Sequence, residues 1–437
     1  MPKTSTARCD EVHPICGNCL KHGVSCDFGG CPSSPATPGV SSPSIQKSTT
    51  NTPDSFGNNP SASPPSPGSG SALTSFYQTP RDLVRTNIDP AASRLLELRL
   101  MHHFTAKTYM TFTEIEAARH AWQVEIPEIS YDAQYLMDAI LAVSALHLRA
   151  QHPNDQVLIR ASHRYMASSI AQYSSLLDGG LSELNSEALF STSALIAFQT
   201  SASRRFEDFQ GEGGYTLPLA WFHSFQGVKT VVMASWPWLR QSSRVSPIIN
   251  AQPALYLDLD PYRKLFFAPL LEGVDQQIEG LPRQLGEETR QAYEHSVAFL
   301  NWAHLKPTRS RILGFAATVS RRFVELFTQH DPRALLIVSC FFAQMRAVDN
   351  VWWLEGMAKR EVNGIRSLLP PMWWPMMEWS LRVANHEGPV TDEIWGTRVT
   401  GIRIEEENLV ARGPTVSNHI DILASILETY APPGPPD

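Results

Sequence analysis

Four cysteines near the amino terminus carry the chemistry that is most legible in this chain. Cys9, Cys16, Cys19 and Cys26 are separated by six, two and six residues, in a sequence with six cysteines in all. Thiolates two residues apart can grip one tetrahedral metal from a tight turn, and four thiolates complete a structural zinc site. Cys31 follows close behind and offers a substitute ligand. His13 and His22 offer imidazoles, although a lone His in a polar loop is more often simply solvated. Two cations stand beside the thiols, Arg8 before Cys9 and Lys21 after Cys19. Two charges provide little of the phosphate neutralisation on which nucleic-acid binding usually rests.

The run Cys9-Asp10, Pro14, Cys16, Cys19 and Cys26 resembles the carboxy-terminal two-thirds of the fungal binuclear zinc cluster, the six-cysteine DNA-binding domain of fungal transcription regulators. The resemblance implies zinc as cofactor, with Cys9, Cys16, Cys19 and Cys26 as ligands and Cys16 bridging two ions in a complete cluster. It also implies phosphate contacts from Arg8 and Lys21, which position such a head without reading bases. The family's opening Cys-x-x-Cys and its basic stretch have no counterpart in Met1 to Ala7. Three readings of that gap stand side by side: a gene-model fault at the start, loss of the DNA-reading half, or coincidence in a disordered head.

Composition sets the wider frame. A chain of 437 residues with 43% hydrophobic content has room for two or three domains and a sizeable core. Its net charge of −7 excludes a protein that coats nucleic acid along its whole length, so any DNA contact is local. No apolar run is long enough for a membrane span; the best candidate, Ala334 to Ala343, is about half the need. The amino terminus lacks an apolar signal core, so secretion is not expected, and clustered cysteines then read as metal ligands rather than disulfides.

Residues 31–80 hold ten Pro and 13 Ser with almost no aliphatic side chains. Such a segment cannot bury enough apolar area to offset chain ordering and is expected to be a disordered linker. It shows no heptad pattern, so dimerisation through a coiled coil is not supported. From about Asp89 the pattern becomes helical. Residues 92–108 place Leu95, Leu98, Met101 or His102 and Ala106 along one face. Residues 132–151 place Leu136, Ala139, Ile140, Val143 and Leu146 at helical spacing, with further apolar residues nearly all the way round, which predicts a central buried helix stopped by Pro153. Helices are also predicted over 155–177 and 184–202, parted by Asp178-Gly179-Gly180. Asp331-Pro332 reads as a cap followed by a first-turn proline, with Leu335, Val338, Phe342, Met345 and Val348 on one face. Strand signals are nearly absent, and an all-α architecture is expected.

The order of these segments resembles the fungal regulatory domain that follows many zinc clusters, nearest to the sterol uptake control type. The residues behind this are Leu95 to Leu98 leading into His102-His103-Phe104-Thr105, the helix Leu136 to Leu148, and Asp331 to Val338. Trp352-Trp353-Leu354-Glu355-Gly356, Trp373-Trp374-Pro375 and Trp379 complete them. The resemblance spans roughly 92–382 and implies that a sterol or another small apolar ligand is sensed in the helical domain.

Other candidate sites read more plainly. The five tryptophans between 352 and 379 either line an apolar pocket with Met372, Met376 and Met377 or, the simpler reading, knit the last helices together. His102 and His103 point about 100 degrees apart on a helix and cannot share a metal, so a buried or capping role is expected. Cys340 reads as a small buried hydrophobe, Gly211 to Gly214 as a flexible loop, and Glu405-Glu406-Glu407 as a solvated face; Thr391 to Val416 reads as irregular. No nucleophile elbow, zinc-protease box, phosphate loop or dinucleotide fingerprint occurs, which argues against an enzyme.

The expectation is a partial binuclear zinc cluster over 1–30, a linker over 31–88 and a helical regulatory domain over 89–432. The implied role is a nuclear regulator of RNA polymerase II genes, in a sterol-response or secondary-metabolite cluster. Its partners would be duplex DNA, a small apolar ligand such as a sterol, and the transcription machinery or another regulator. An accessory regulator that does not bind DNA and works through protein partners is the main alternative; a helical enzyme or a pure sterol carrier are further ones. The sequence assigns no ligand-binding residues.

Overall fold

Helix caps and apolar stripes set the architecture. The computed structural model describes residues 90–207, 214–255, 257–260 and 265–396, and every regular element among them is helical. The all-α expectation therefore holds. The cysteine head, Arg8, Lys21 and the linker lie outside the described residues, as do Gly211 to Gly213, Glu405-Glu406-Glu407 and most of Thr391 to Val416.

The first stretch is α1 (Pro90–His103), which runs into a π-helical turn (Phe104–Thr108) and a 3-10 turn (Tyr109–Thr111). Then come α2 (Glu116–His120), a second π-helical turn (Ala121–Glu125) and α3 (Ile126–Ser130). Three long helices follow, α4 (Gln134–Gln151), α5 (Gln156–Asp178) and α6 (Ser186–Ser203). The middle of the chain holds α7 (Leu219–Ala234) and the short α8 (Trp236–Leu239) and α9 (Ser246–Asn250). The last part holds α10 (Val274–Ile278), α11 (Arg283–Leu305), α12 (Arg309–Thr318), α13 (Arg321–Thr328) and α14 (Pro332–Gln344). It closes with α15 (Met357–Leu368), α16 (Glu378–Asn385) and α17 (Asp392–Trp395).

Two hydrophobic cores share the body. The first is built around α4, which packs on α1, α5 and α6 and is buried nearly throughout from Tyr135 to Leu148. Its buried Asp138 accepts from Ser168 Oγ (2.7 Å) and Gln134 Nε2 (2.9 Å), and Ser144 Oγ donates to the Leu100 carbonyl (2.6 Å). Helix α5 starts where Asp155 accepts from the amides of Val157 and Leu158. The second core surrounds α14, which packs on α11, α15 and α16 and buries Leu335, Val338 and Phe342. Asp331 caps α14 as expected, accepting from the Ala334 amide (2.9 Å), and also accepts from Tyr293 Oη (2.9 Å) and Gln277 Nε2 (2.8 Å). Cys340 lies buried in this core, its thiol pushed up to about 12 by burial.

One expected face is corrected. Leu95 and Leu98 of α1 are 68% and 58% exposed, while Leu100 and Phe104 are fully buried. Leucines at 95, 96, 98 and 100 fit two helical phases. The observed phase is fixed by the Leu100 carbonyl accepting from Ser144 and by Tyr165 Oη donating to Glu97 (2.9 Å). No helix among the described residues is long and apolar enough to cross a membrane.

Candidate functional site

Three helical stripes and one loop enclose a cavity of about 460 Å³ where the two cores meet. Helix α6 presents Phe190, Ala194, Ala197 and Phe198 at successive turns, and α7 presents Phe225, Val228, Lys229 and Val232. Helix α12 adds Arg309, Leu313, Gly314 and Ala317, and the segment from Phe112 to Trp122, Trp236 of α8 and the stretch from Ile248 to Ala254 complete the lining. Several of these apolar side chains, Phe198, Phe225, Leu313 and Trp236 among them, are only partly buried although they lie between the two cores. The space they leave suits an apolar ligand of small-molecule size.

Aromatic contacts shape the wall. Phe112 stacks on Phe198 at 4.2 Å between ring centres, Trp122 meets Phe112 edge-on at 5.0 Å, and Trp353 meets Phe198 edge-on at 5.2 Å. Helices α7 and α12 are joined by Gln226, whose Nε2 donates to the carbonyls of Ala316 and Val319, both at 2.9 Å. Those carbonyls lie at the carboxy-terminal end of α12, which this side chain closes.

The cavity's charged groups are few. Arg309 is buried at 5% exposure and pairs with Glu114 (3.3 Å), Asn350 Oδ1 (3.0 Å) and the Thr111 carbonyl (3.3 Å), yet its Nε has no partner. Lys229 is half-buried, and no hydrogen bond or ion pair reaches it among the described residues. Burial alone holds its ammonium down to about 8.

Thr111 ties this wall to the second core. Its hydroxyl accepts from Trp352 Nε1 (3.2 Å) and its carbonyl accepts from Trp353 Nε1 (3.2 Å) as well as from Arg309. Trp352 stacks flat on His147 (4.6 Å, 9°), which meets His103 edge-on at 4.8 Å. Thr108 Oγ1 and His147 Nδ1 are 3.0 Å apart, and His103 Nε2 is buried without a partner. Burial is the largest cause that lowers His103 to about 4 and His147 to about 3, so both are neutral imidazoles near neutral pH.

A second polar anchor lies on α15. The Glu361 carboxylate is fully buried and accepts from Arg204 (2.8 and 3.2 Å), Tyr215 Oη (2.8 Å) and Arg360 Nε (3.3 Å). Beside it the Tyr215 ring occupies the position that a Cβ on Gly364 would need, 2.1 Å away.

Of the tryptophans between 352 and 379, Trp353 and Trp379 do the structural work that the simpler reading gave all five, whereas Trp374 is 40% exposed. Trp353 is in the second core, and Trp379 sits with Phe266, Phe267 and Trp395 around His304. None of them lines the cavity. Of the adjacent histidines, His103 is buried and His102 is exposed. The cavity residues escaped sequence reasoning, although a trace of them is there: in α7, Lys229 interrupts the otherwise apolar stripe of Phe225, Val228 and Val232. Among the described residues no group of three or more His, Cys, Asp or Glu side chains could hold a metal. The metal ligands expected from the sequence, Cys9, Cys16, Cys19 and Cys26, lie outside the described residues.

No family model matches the chain. Among curated proteins, a Zn(2)-C6 fungal-type transcription factor of Gibberella zeae is 41% identical over 99% of this chain and 93% of its own length. The Zn(2)-C6 fungal-type transcription factor afumD of Aspergillus fumigatus is 24% identical over 75% of this chain and 79% of its own length. Sterol uptake control protein 2 of Saccharomyces cerevisiae is 26% identical over 61% of this chain, which is matched by 29% of that protein.

Proposed function

The chain belongs to the Zn(2)-C6 fungal-type transcription factors, and from that premise we propose a nuclear regulator whose helical body senses a small apolar ligand in the cavity between its two cores. The observation that carries the regulatory role is the near full-length identity to a Zn(2)-C6 factor. The observation that carries the sensing role is the partly buried apolar wall of Phe198, Phe225, Leu313 and Trp236 around open space. A relative named for sterol uptake control places sterols among the ligand classes to test first. Control of a sterol-response or secondary-metabolite gene cluster is the corresponding biological reading.

In this proposal residues 1–30 are the zinc head, 31–88 the linker and 89–432 the regulatory body. Cys9, Cys16, Cys19 and Cys26 hold zinc, since four thiolates suffice for one tetrahedral ion. Arg8 and Lys21 contact the phosphates of duplex DNA, positioning the head without reading bases. In the accessory reading, protein partners replace DNA contact.

The test is zinc content together with electrophoretic mobility shift on the purified full chain. The expected result is bound zinc and a DNA complex, both lost in the Cys16→Ala/Cys19→Ala variant while the helical circular dichroism is unchanged. Bound zinc with no shift at low salt selects the accessory reading. Absence of zinc from correctly folded protein removes the metal-head assignment.

A further inference from the structure

The cavity lining is apolar except at a few points, and its charges do not balance. Arg309 and Lys229 contribute two cations against the single carboxylate of Glu114, which Arg309 already engages at 3.3 Å. Lys229 sits on the α7 stripe between Val228 and Val232, half-buried, with no carboxylate or carbonyl on it among the described residues. Arg309 keeps one buried N–H without an acceptor on the same lining.

A partly desolvated ammonium without a partner is unfavourable, and hydrocarbon packed against it would worsen that deficit. An anion seated on it removes the deficit and gains a charge-assisted hydrogen bond. We propose that the cavity's ligand is an amphiphilic carboxylic acid, its apolar body against Phe198, Leu313 and Trp236 and its carboxylate on the Lys229 ammonium. Arg309, which Glu114 already engages, adds a second positive charge to the same lining. This rests on the cavity being the ligand site, and it narrows that reading from any apolar molecule to an acid. A neutral sterol fits the wall but leaves Lys229 unpaired.

The experiment follows fluorescence of the full chain, in which Trp122 and Trp236 line the cavity, during titration with dodecanoate, dodecanol and ergosterol. Dodecanoate is expected to bind about tenfold or more tightly than dodecanol, the worth of one charge-assisted bond. Lys229→Met removes that preference and Lys229→Arg keeps it, with unfolding curves confirming that each variant folds. The wild type supplies an independent arm. Its affinity for dodecanoate, but not for dodecanol, falls between about pH 7 and 9 as the Lys229 ammonium, which burial holds near 8, loses its proton. The other titratable groups facing the cavity are Glu114 and the Arg309 guanidinium that engages it, and an arginine keeps its charge throughout.

Equal binding of acid and alcohol, or tighter binding of ergosterol that is indifferent to Lys229→Met, overturns the acid assignment and leaves the cavity as a ligand site. Filling the cavity with Ala194→Phe is expected to abolish binding of all three probes. If it changes nothing, or if no probe binds, the cavity reading falls and the acid assignment falls with it.

Discussion

His147 is held between Trp352 and His103, and its neutrality is part of what holds the seam together. Its pKa is lowered to about 3 and that of His103 to about 4 from an ordinary 6.5, with burial the largest cause in both. In that range the unfolded chain binds more protons than the folded one, so stability rises with pH. These two imidazoles therefore contribute fully above about pH 6.5, and their contribution is lost as pH falls toward 3. The expected outcome is a urea midpoint that drops between pH 6.5 and 4 in the wild type, and less steeply in His147→Phe. Equal slopes in the two proteins would mean that the imidazole does not titrate as its surroundings dictate.

At the scale of elements, the α15 anchor makes the sharpest demand. Gly364 lies in mid-helix, and the Tyr215 ring lies where its Cβ would go, while Tyr215 Oη is bound to the buried Glu361. Gly364→Ala gains helix propensity and nonetheless should destabilise the body by about 1–3 kcal/mol, the usual cost of overpacking. Chemical denaturation decides it; a gain in stability would show that the tyrosine moves aside freely. Legibility also varied by element. Helix α4 was readable because its apolar residues run nearly all round, and α14 because Asp331-Pro332 is a cap with a first-turn proline. The face of α1 was not, because Leu95, Leu96, Leu98 and Leu100 permit two phases and the deciding bonds come from Ser144 and Tyr165, far along the chain. The π-helical turns at Phe104–Thr108 and Ala121–Glu125 likewise shift the stripe that a 3.6-residue period projects.

In the whole molecule, the regulatory class was legible from the cysteine spacing and the block order, whereas the cavity was not. A cavity is a shared absence among α6, α7, α9 and α12, and no one segment of sequence carries it. Thr111 connects that space to the second core, since its two oxygens receive Trp352, Trp353 and Arg309. Thr111→Val leaves the Trp352 indole N–H without its acceptor and is expected to cost about 1–2 kcal/mol. It should also weaken ligand binding, because Thr113 and Glu114 of the lining follow directly. Urea unfolding and dodecanoate titration on the same preparation check both effects. A stability loss with unchanged affinity would show that the two cores do not communicate through this residue.

The bond from Gln226 to the end of α12 has a mechanical consequence. Because Nε2 grips two carbonyls of the neighbouring element, α7 and α12 form a single fixed jaw that carries both Lys229 and Arg309. Across the cavity the Phe112 loop is tied to the same unit, because Arg309 pairs with Glu114 and donates to the Thr111 carbonyl. The placement of the two cations is then set by the fold and not by the ligand. A ligand taken into this space would be held most strictly at its polar end.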